Sequence, residues 1–148
     1  MKKILILVML FVFCFFTASC GEKDQSVSEE EIVNPVDVYI SISDNPDDEF
    51  NPENFVPVEK TLFTVEEGTN VIDATQIFCI SNDIDIQLDA NGVSVASMAG
   101  AGSSDVADNA AGWVLKVNGE LQQEAAADQI ILKEGDEISW EFVDLSQE

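Results

Sequence analysis

The densest set of potential ligand oxygens lies between Asp44 and Glu53. Carboxylates and carboxamides fill six of the eight positions from 44 to 51 (Asp44, Asn45, Asp47, Asp48, Glu49, Asn51), and Glu53 follows. Such hard oxygen donors suit calcium. The stretch lacks the glycine and the alternate spacing of an EF-hand loop, and a plain solvated acidic loop explains it without any ion. Other chemistry is restricted by what the chain lacks. It contains no histidine, and its six basic residues are all lysine. No Ser–His or Cys–His nucleophile pair can form, and there is no imidazole base. Without arginine there is no bidentate anion clamp. Transition-metal sites want imidazole and thiolate ligands, which are scarce here. The 29 carboxylates are scattered along the chain, and no pair stands out for acid–base work. The expectation is a protein with no catalytic residues, no resident metal and no cofactor.

Three cysteines carry different meanings. Cys14 lies within an apolar run. Cys79 sits in Ile77-Phe78-Cys79-Ile80, where an inert buried thiol is expected. Cys20 ends the sequence Thr17-Ala18-Ser19-Cys20, and small residues before a cysteine resemble the lipobox of bacterial lipoprotein precursors. Thr17 stands where that motif usually has an aliphatic residue. The alternative is an ordinary export signal cut near Cys20.

The preceding segment supports export. Lys2 and Lys3 are followed by 13 apolar residues from Ile4 to Phe16. That run is short for a membrane span, which takes roughly 20 residues, and a basic start followed by a short apolar core is the layout of a secretory signal. Residues 1–19 are therefore expected to be a lipoprotein signal peptide. Cys20 would be acylated, which places the protein outside the cytoplasm, lipid-anchored to the cell membrane or outer membrane. Removing residues 1–19 leaves four lysines against 29 carboxylates. So acidic a surface repels nucleic acid, whose affinity rests on cations meeting phosphates. It also repels anionic lipid, leaving the acyl chain as the membrane contact.

Two further features could hold a ligand. Ala99-Gly100-Ala101-Gly102-Ser103-Ser104 is a run of small residues after an apolar segment. No lysine follows it, so it is not a phosphate loop; it reads as a loop, either a plain connection or the rim of a site. Trp113 and Trp140 lie in phase with apolar neighbours, so core packing is the first expectation for both. If partly exposed, either would anchor a ligand or partner. The candidate ligand-binding residues are Met98, Gly100, Gly102, Ser103, Ser104 and Trp113, around a concavity near Ser97–Gly102 and Gly112–Trp113.

These side chains must be positioned by a small domain. Residues 20–34 are acidic and nearly free of large apolar side chains, which predicts a flexible tether reaching roughly 20 Å. The domain then occupies 35–148. Val36, Val38, Ile40 and Ile42 alternate with polar residues, as a half-buried strand requires. Thr61 to Val65 reads as a second strand. Thr69 or Asn70 can cap a short helix in which Asp73 lies in the first turn and Val71, Ala74 and Phe78 share a face. Ile84, Ile86 and Leu88 precede a turn at Asp89-Ala90-Asn91-Gly92, with Val93, Val95 and Met98 returning. Trp113, Leu115 and Val117 stop at Asn118-Gly119, the strongest short hairpin signal. Ile130-Ile131-Leu132 meets a tight turn at Lys133-Glu134-Gly135-Asp136, and Ile138, Trp140 and Phe142 form the face of a closing strand. The expected fold is α+β and mostly antiparallel, with one short helix and six or seven strands.

Three of these segments, in this order, resemble the domain of unknown function 4430 family, whose fold is that of the C-terminal β-domain of transcobalamin and intrinsic factor. They are Thr64-Val65-Glu66-Glu67-Gly68-Thr69-Asn70-Val71-Ile72-Asp73-Ala74, Gly112-Trp113-Val114-Leu115-Lys116-Val117-Asn118-Gly119 and Leu132-Lys133-Glu134-Gly135-Asp136-Glu137-Ile138-Ser139-Trp140. The resemblance spans about residues 36–143. The Ala- and Gln-rich stretch from Glu120 to Ala127 departs from the pattern, as does the lack of aromatics after Trp113. The resemblance implies a ligand-holding β-domain, of the kind that closes over cobalamin against a helical domain in the vertebrate carriers. The expected function is a non-catalytic binding lipoprotein for a corrinoid or another small molecule. The alternative is a cell-surface protein-interaction or adhesion module whose partner is another exported protein.

Overall fold

The computed structural model describes residues 34–44, 52, 54–102 and 111–145. Cys20, the expected signal and nearly all of the expected tether, Ser103, Ser104 and most of the Asp44–Glu53 loop lie outside the described residues.

Alternation along the chain sets the main sheet. In β1 (Pro35–Asp44), Val38, Ile40 and Ile42 are fully buried while the residues between them are not. β1 pairs antiparallel with β2 (Val58–Glu66), with a register shift between Ile40 and Ile42. On its other side β1 pairs in parallel with β8 (Glu137–Asp144). Antiparallel to β8 runs β6 (Ala111–Val117), which turns at Asn118-Gly119 into the two-residue β7 (Glu120–Leu121). The strand order is β2-β1-β8-β6-β7. Asn118 and Gly119 have φ of 55° and 80°, the left-handed conformation that this turn demands.

The helix α1 (Val71–Ser81) begins where the side chains can satisfy it. The Asn70 carboxamide oxygen accepts from the Asp73 N–H at 2.8 Å, and its NH2 donates to the Asp73 carboxylate. This covers an orphan N–H and places an anion in the first turn, two effects of about 1 kcal/mol or less each. At the far end Asn82 donates through both its backbone and its side chain to Phe78 O, and Asp83 enters the left-handed region at φ 55°. Val71, Ala74, Phe78 and Cys79 share one buried cluster with the inner face of the sheet. Phe78 meets Phe63 edge to face, with centroids 5.4 Å apart.

A second sheet has three short strands in the order β3 (Ile86–Leu88), β4 (Val95–Met98) and β5 (Ala101–Gly102). β3 and β4 flank the turn in which the Asp89 carboxylate accepts from the N–H groups of Val93 and Ser94. These bonds, that from Val93 foremost, hold Asp89 below the usual carboxylate pKa. Within the stretch from Ala99 to Ser104, expected to be a loop, the described residues turn sharply at Ala99-Gly100 and pair back as β5 (Ala101–Gly102). Ala99 takes φ 52° and Gly100 φ 83°, so an alanine adopts a conformation usually left to Gly or Asn. Its N–H donates to Asp85 O and its C=O accepts from Val56 N–H, which holds it there. The apolar run Ile130-Ile131-Leu132 forms only a single bridge, from Ile131 to Asn70. The whole is α+β and mostly antiparallel, and among the described residues it has one helix and eight strands, two of them of only two residues. None of the described helices is long and apolar enough to cross a membrane.

Candidate functional site

Trp113 stands second after the start of β6, opposite Phe142 of β8. Its ring lies 5.2 Å from that of Phe142 and 6.2 Å from that of Phe55, both tilted. Its indole N–H donates to Ala101 O of β5 at 3.3 Å. The ring is therefore held from three directions and still left partly exposed. Trp140 is different. It is buried, and its indole N–H donates to the Thr75 hydroxyl inside the core. Of the two tryptophans, Trp113 is the one placed to meet a ligand.

A cleft of about 360 Å³ opens beside it. One wall is Trp113, Leu115 and Trp140, a second is the segment Leu121–Ala127, and a third is Val143–Leu145. The lining is mostly apolar, with Gln122, Gln123, Ser94 and Asp144 as its polar groups. The second wall is suspended by its backbone. Gln122 N–H donates to Leu115 O, and Ala127 O accepts from Ile72 N–H at the start of α1. Small side chains at Ala125, Ala126 and Ala127 leave room that larger residues would fill.

Of the other expected site residues, Met98, Gly100 and Gly102 do not line this cleft, and Ser103 and Ser104 lie outside the described residues. Met98 is fully buried at 0% exposure, so its thioether packs in the core and meets no solvent. Gly102 pairs with Ser97 and is buried. Gly100 is pressed against the 54–56 segment; a Cβ there would lie 2.2 Å from Asn54 O. Met98, Gly100 and Gly102 thus share one tight hairpin that buttresses Trp113 through Ala101. The concavity lies on the Gln122–Ala127 side of Trp113, away from the expected Ser97–Gly102 rim. The Ala- and Gln-rich composition of Glu120–Ala127 is the sequence feature that coincides with this wall.

Cys79 is buried, and burial, assisted by the charge of Asp85, pushes its thiol up to about 11. Among the described residues no group of three His, Cys, Asp or Glu side chains could hold a metal ion. A second, more open groove of about 550 Å³ runs between the β2–α1 turn and the outer face of α1.

The family model of a domain of unknown function, DUF4430, matches residues 68–144. No curated protein matches the chain in sequence. Among solved structures, that of haptocorrin in complex with Cbi superposes with a TM-score of 0.54 and 16% identity, over 77% of this chain and 26% of that one. The chain thus spans about a quarter of that haptocorrin, and the likeness is one of fold. A protein from Ruminococcus gnavus ATCC 29149, proposed to bind metal, superposes with a TM-score of 0.46 and 13% identity over 74% of this chain and 97% of its own.

Proposed function

Because the chain belongs to the family of the domain of unknown function DUF4430, we propose that it is a non-catalytic binding protein, exported and lipid-anchored through Cys20, that holds a small molecule at Trp113. The observation that carries this reading is the partly exposed indole, clamped by Phe55 and Phe142, at the wall of a mostly apolar cleft. Ligand sites are typically concave and apolar with a few placed polar groups, which is the composition found here. The lack of His and Arg in the chain supports binding without chemistry. Acylation of Cys20 is tested by Cys20→Ser, which is expected to release the protein from the membrane fraction.

A corrinoid is the specific ligand we propose, on the likeness of fold to a haptocorrin bound to Cbi. The cleft, about 360 Å³, lies near the lower end of the roughly 300–1,000 Å³ usual for ligand pockets. It would cover one side of a corrinoid and leave the rest to solvent or to a second surface. The acidic surroundings disfavour a phosphate-bearing ligand, so cobinamide should bind more tightly than cobalamin. Titration of the chain with each, followed by calorimetry and by the corrin absorption spectrum, tests this. Saturable binding at micromolar or better is expected; no heat and no spectral change up to millimolar would exclude corrinoids.

The second reading, a protein-interaction or adhesion module, rests on β2. Among the described residues it is the edge strand of the main sheet, and it carries the exposed Leu62. Strand addition along such an edge is a common mode of peptide recognition.

A further inference from the structure

The outer face of α1 breaks the pattern expected of a helix packed on one side. A surface helix carries its apolar residues in one stripe and polar ones opposite. In α1 the buried stripe is complete in Val71, Ile72, Ala74, Thr75, Phe78 and Cys79. The opposite face nevertheless carries Ile77 and Ile80, exposed by 48% and 71%. Three residues apart, they stand side by side on the helix. They line the groove of about 550 Å³ whose other bank is the turn from Glu66 to Thr69. Among the described residues, the charged groups of that groove are Glu66, Glu67 and Asp73, and no lysine lines it. Two of the chain's lysines are held elsewhere, Lys60 with Glu137 and Lys116 with Glu141, on strands of the main sheet. An apolar pair within an acidic rim, on a molecule of net charge −23, is complementary to a cation with an apolar anchor. A second copy of this chain would bring the same acids and be repelled.

We infer that the groove between the β2–α1 turn and the outer face of α1 is a docking surface for a lysine- or arginine-rich, amphipathic peptide segment of a partner protein. Its apolar side chains would cover Ile77 and Ile80, and its cations would lie against Glu67 and Asp73. This surface is separate from the Trp113 cleft, so either can fail without the other.

The test uses the full chain in a non-ionic detergent, with empty micelles as blank. The probe is a fluorescein-labelled peptide of repeated Lys-Leu-Leu-Lys blocks, and a Glu-Leu-Leu-Glu peptide serves as control. Binding is read by anisotropy at about 0.15 M salt, where long-range attraction is screened beyond about 8 Å. The lysine peptide is expected to bind saturably and the glutamate peptide not at all. The Ile77→Ser/Ile80→Ser variant, both sites being exposed, should bind at least about tenfold more weakly, a loss of about 1.4 kcal/mol. Val56→Ser, which removes an equally exposed side chain elsewhere, should change nothing. Glu67→Gln should weaken binding by about threefold and flatten its salt dependence. Equal affinity of the parent and the double serine variant would overturn the inference, since attraction would then be a property of the whole acidic surface. Absence of saturable binding, or an equal loss in Val56→Ser, would also overturn it.

Discussion

The indole N–H of Trp140 donates a 2.9 Å hydrogen bond to the hydroxyl of Thr75, tying the closing strand β8 to α1 across 65 residues of chain. Thr75 is fully buried and donates its own proton to Val71 O, one turn back in the helix, at 2.7 Å. One hydroxyl therefore satisfies two groups inside an apolar core. Thr75→Val keeps the shape and leaves the indole N–H without an acceptor, at an expected cost of about 1–3 kcal/mol. Thr75→Ser keeps the hydroxyl and loses one methyl, a cost of about 1 kcal/mol. Urea unfolding followed by circular dichroism separates the two. The role assigned to this bond fails if valine proves no more damaging than serine.

Gly100 and Gly119 both have positive φ, 83° and 80°, but their surroundings differ. A Cβ at Gly119 meets nothing within 4 Å, whereas one at Gly100 would collide with Asn54 O. Gly119→Ala should therefore cost only backbone strain, about 1 kcal/mol. Gly100→Ala adds a clash with backbone that cannot rotate away, and should cost about 2–4 kcal/mol. Since Phe55 follows Asn54 and packs on Trp113, the same change should also redden the tryptophan emission. Equal melting temperatures for the two variants would count against this account.

The features legible in the sequence are those decided locally. Asn118-Gly119 announces its turn because few other pairs accept left-handed φ at both positions. Asn70 announces the helix start because its side chain reaches Asp73 three residues on. The alternation of Ile138, Trp140 and Phe142 foretells which face is buried. What stayed hidden depends on distant partners. The parallel pairing of β1 with β8 brings Ser41 and Ser139 hydroxyls to 3.1 Å across 98 residues, and no short pattern encodes it. The Ala99-Gly100 turn was obscured by an alanine whose conformation is held by Asp85 and Val56 from outside the segment. Met98 looked like a rim residue until β4 turned it inward. The alanine wall of the cleft is not legible in the sequence because it has no regular secondary structure of its own, only hydrogen bonds to Leu115 and Ile72.

If Trp113 is the ligand's main contact, its replacement should separate binding from folding. Trp113→Leu keeps an apolar side chain in the wall and removes the indole face. Cobinamide affinity is expected to fall by about tenfold or more, equivalent to about 1.4 kcal/mol. Trp113→Phe should retain part of the stacking surface and lose less. Both variants forfeit the bond to Ala101 O, so a common modest loss of stability is expected from each. Calorimetric titration beside thermal unfolding checks the split. Unchanged affinity in Trp113→Leu would move the ligand away from this cleft.

Cys79 gives a pH dependence whose sign is fixed by its burial. Its thiol is pushed from 9.0 to about 11, chiefly by desolvation, so the folded chain keeps a proton that the unfolded chain gives up sooner. Where the unfolded state binds fewer protons, stability falls as pH rises. The contribution of Cys79 is therefore complete below about pH 9 and is lost progressively toward about 11. The comparison is between the parent and Cys79→Ala in urea unfolding at about pH 8 and about pH 11. The stability advantage of the parent over Cys79→Ala should shrink between the two. In the same window the thiol should react slowly with a disulfide reagent in the native state and quickly in urea, because the thiolate is the attacking species. A pH-independent difference between the two proteins, or rapid native reaction near neutral pH, would show that Cys79 is not shielded as its burial requires.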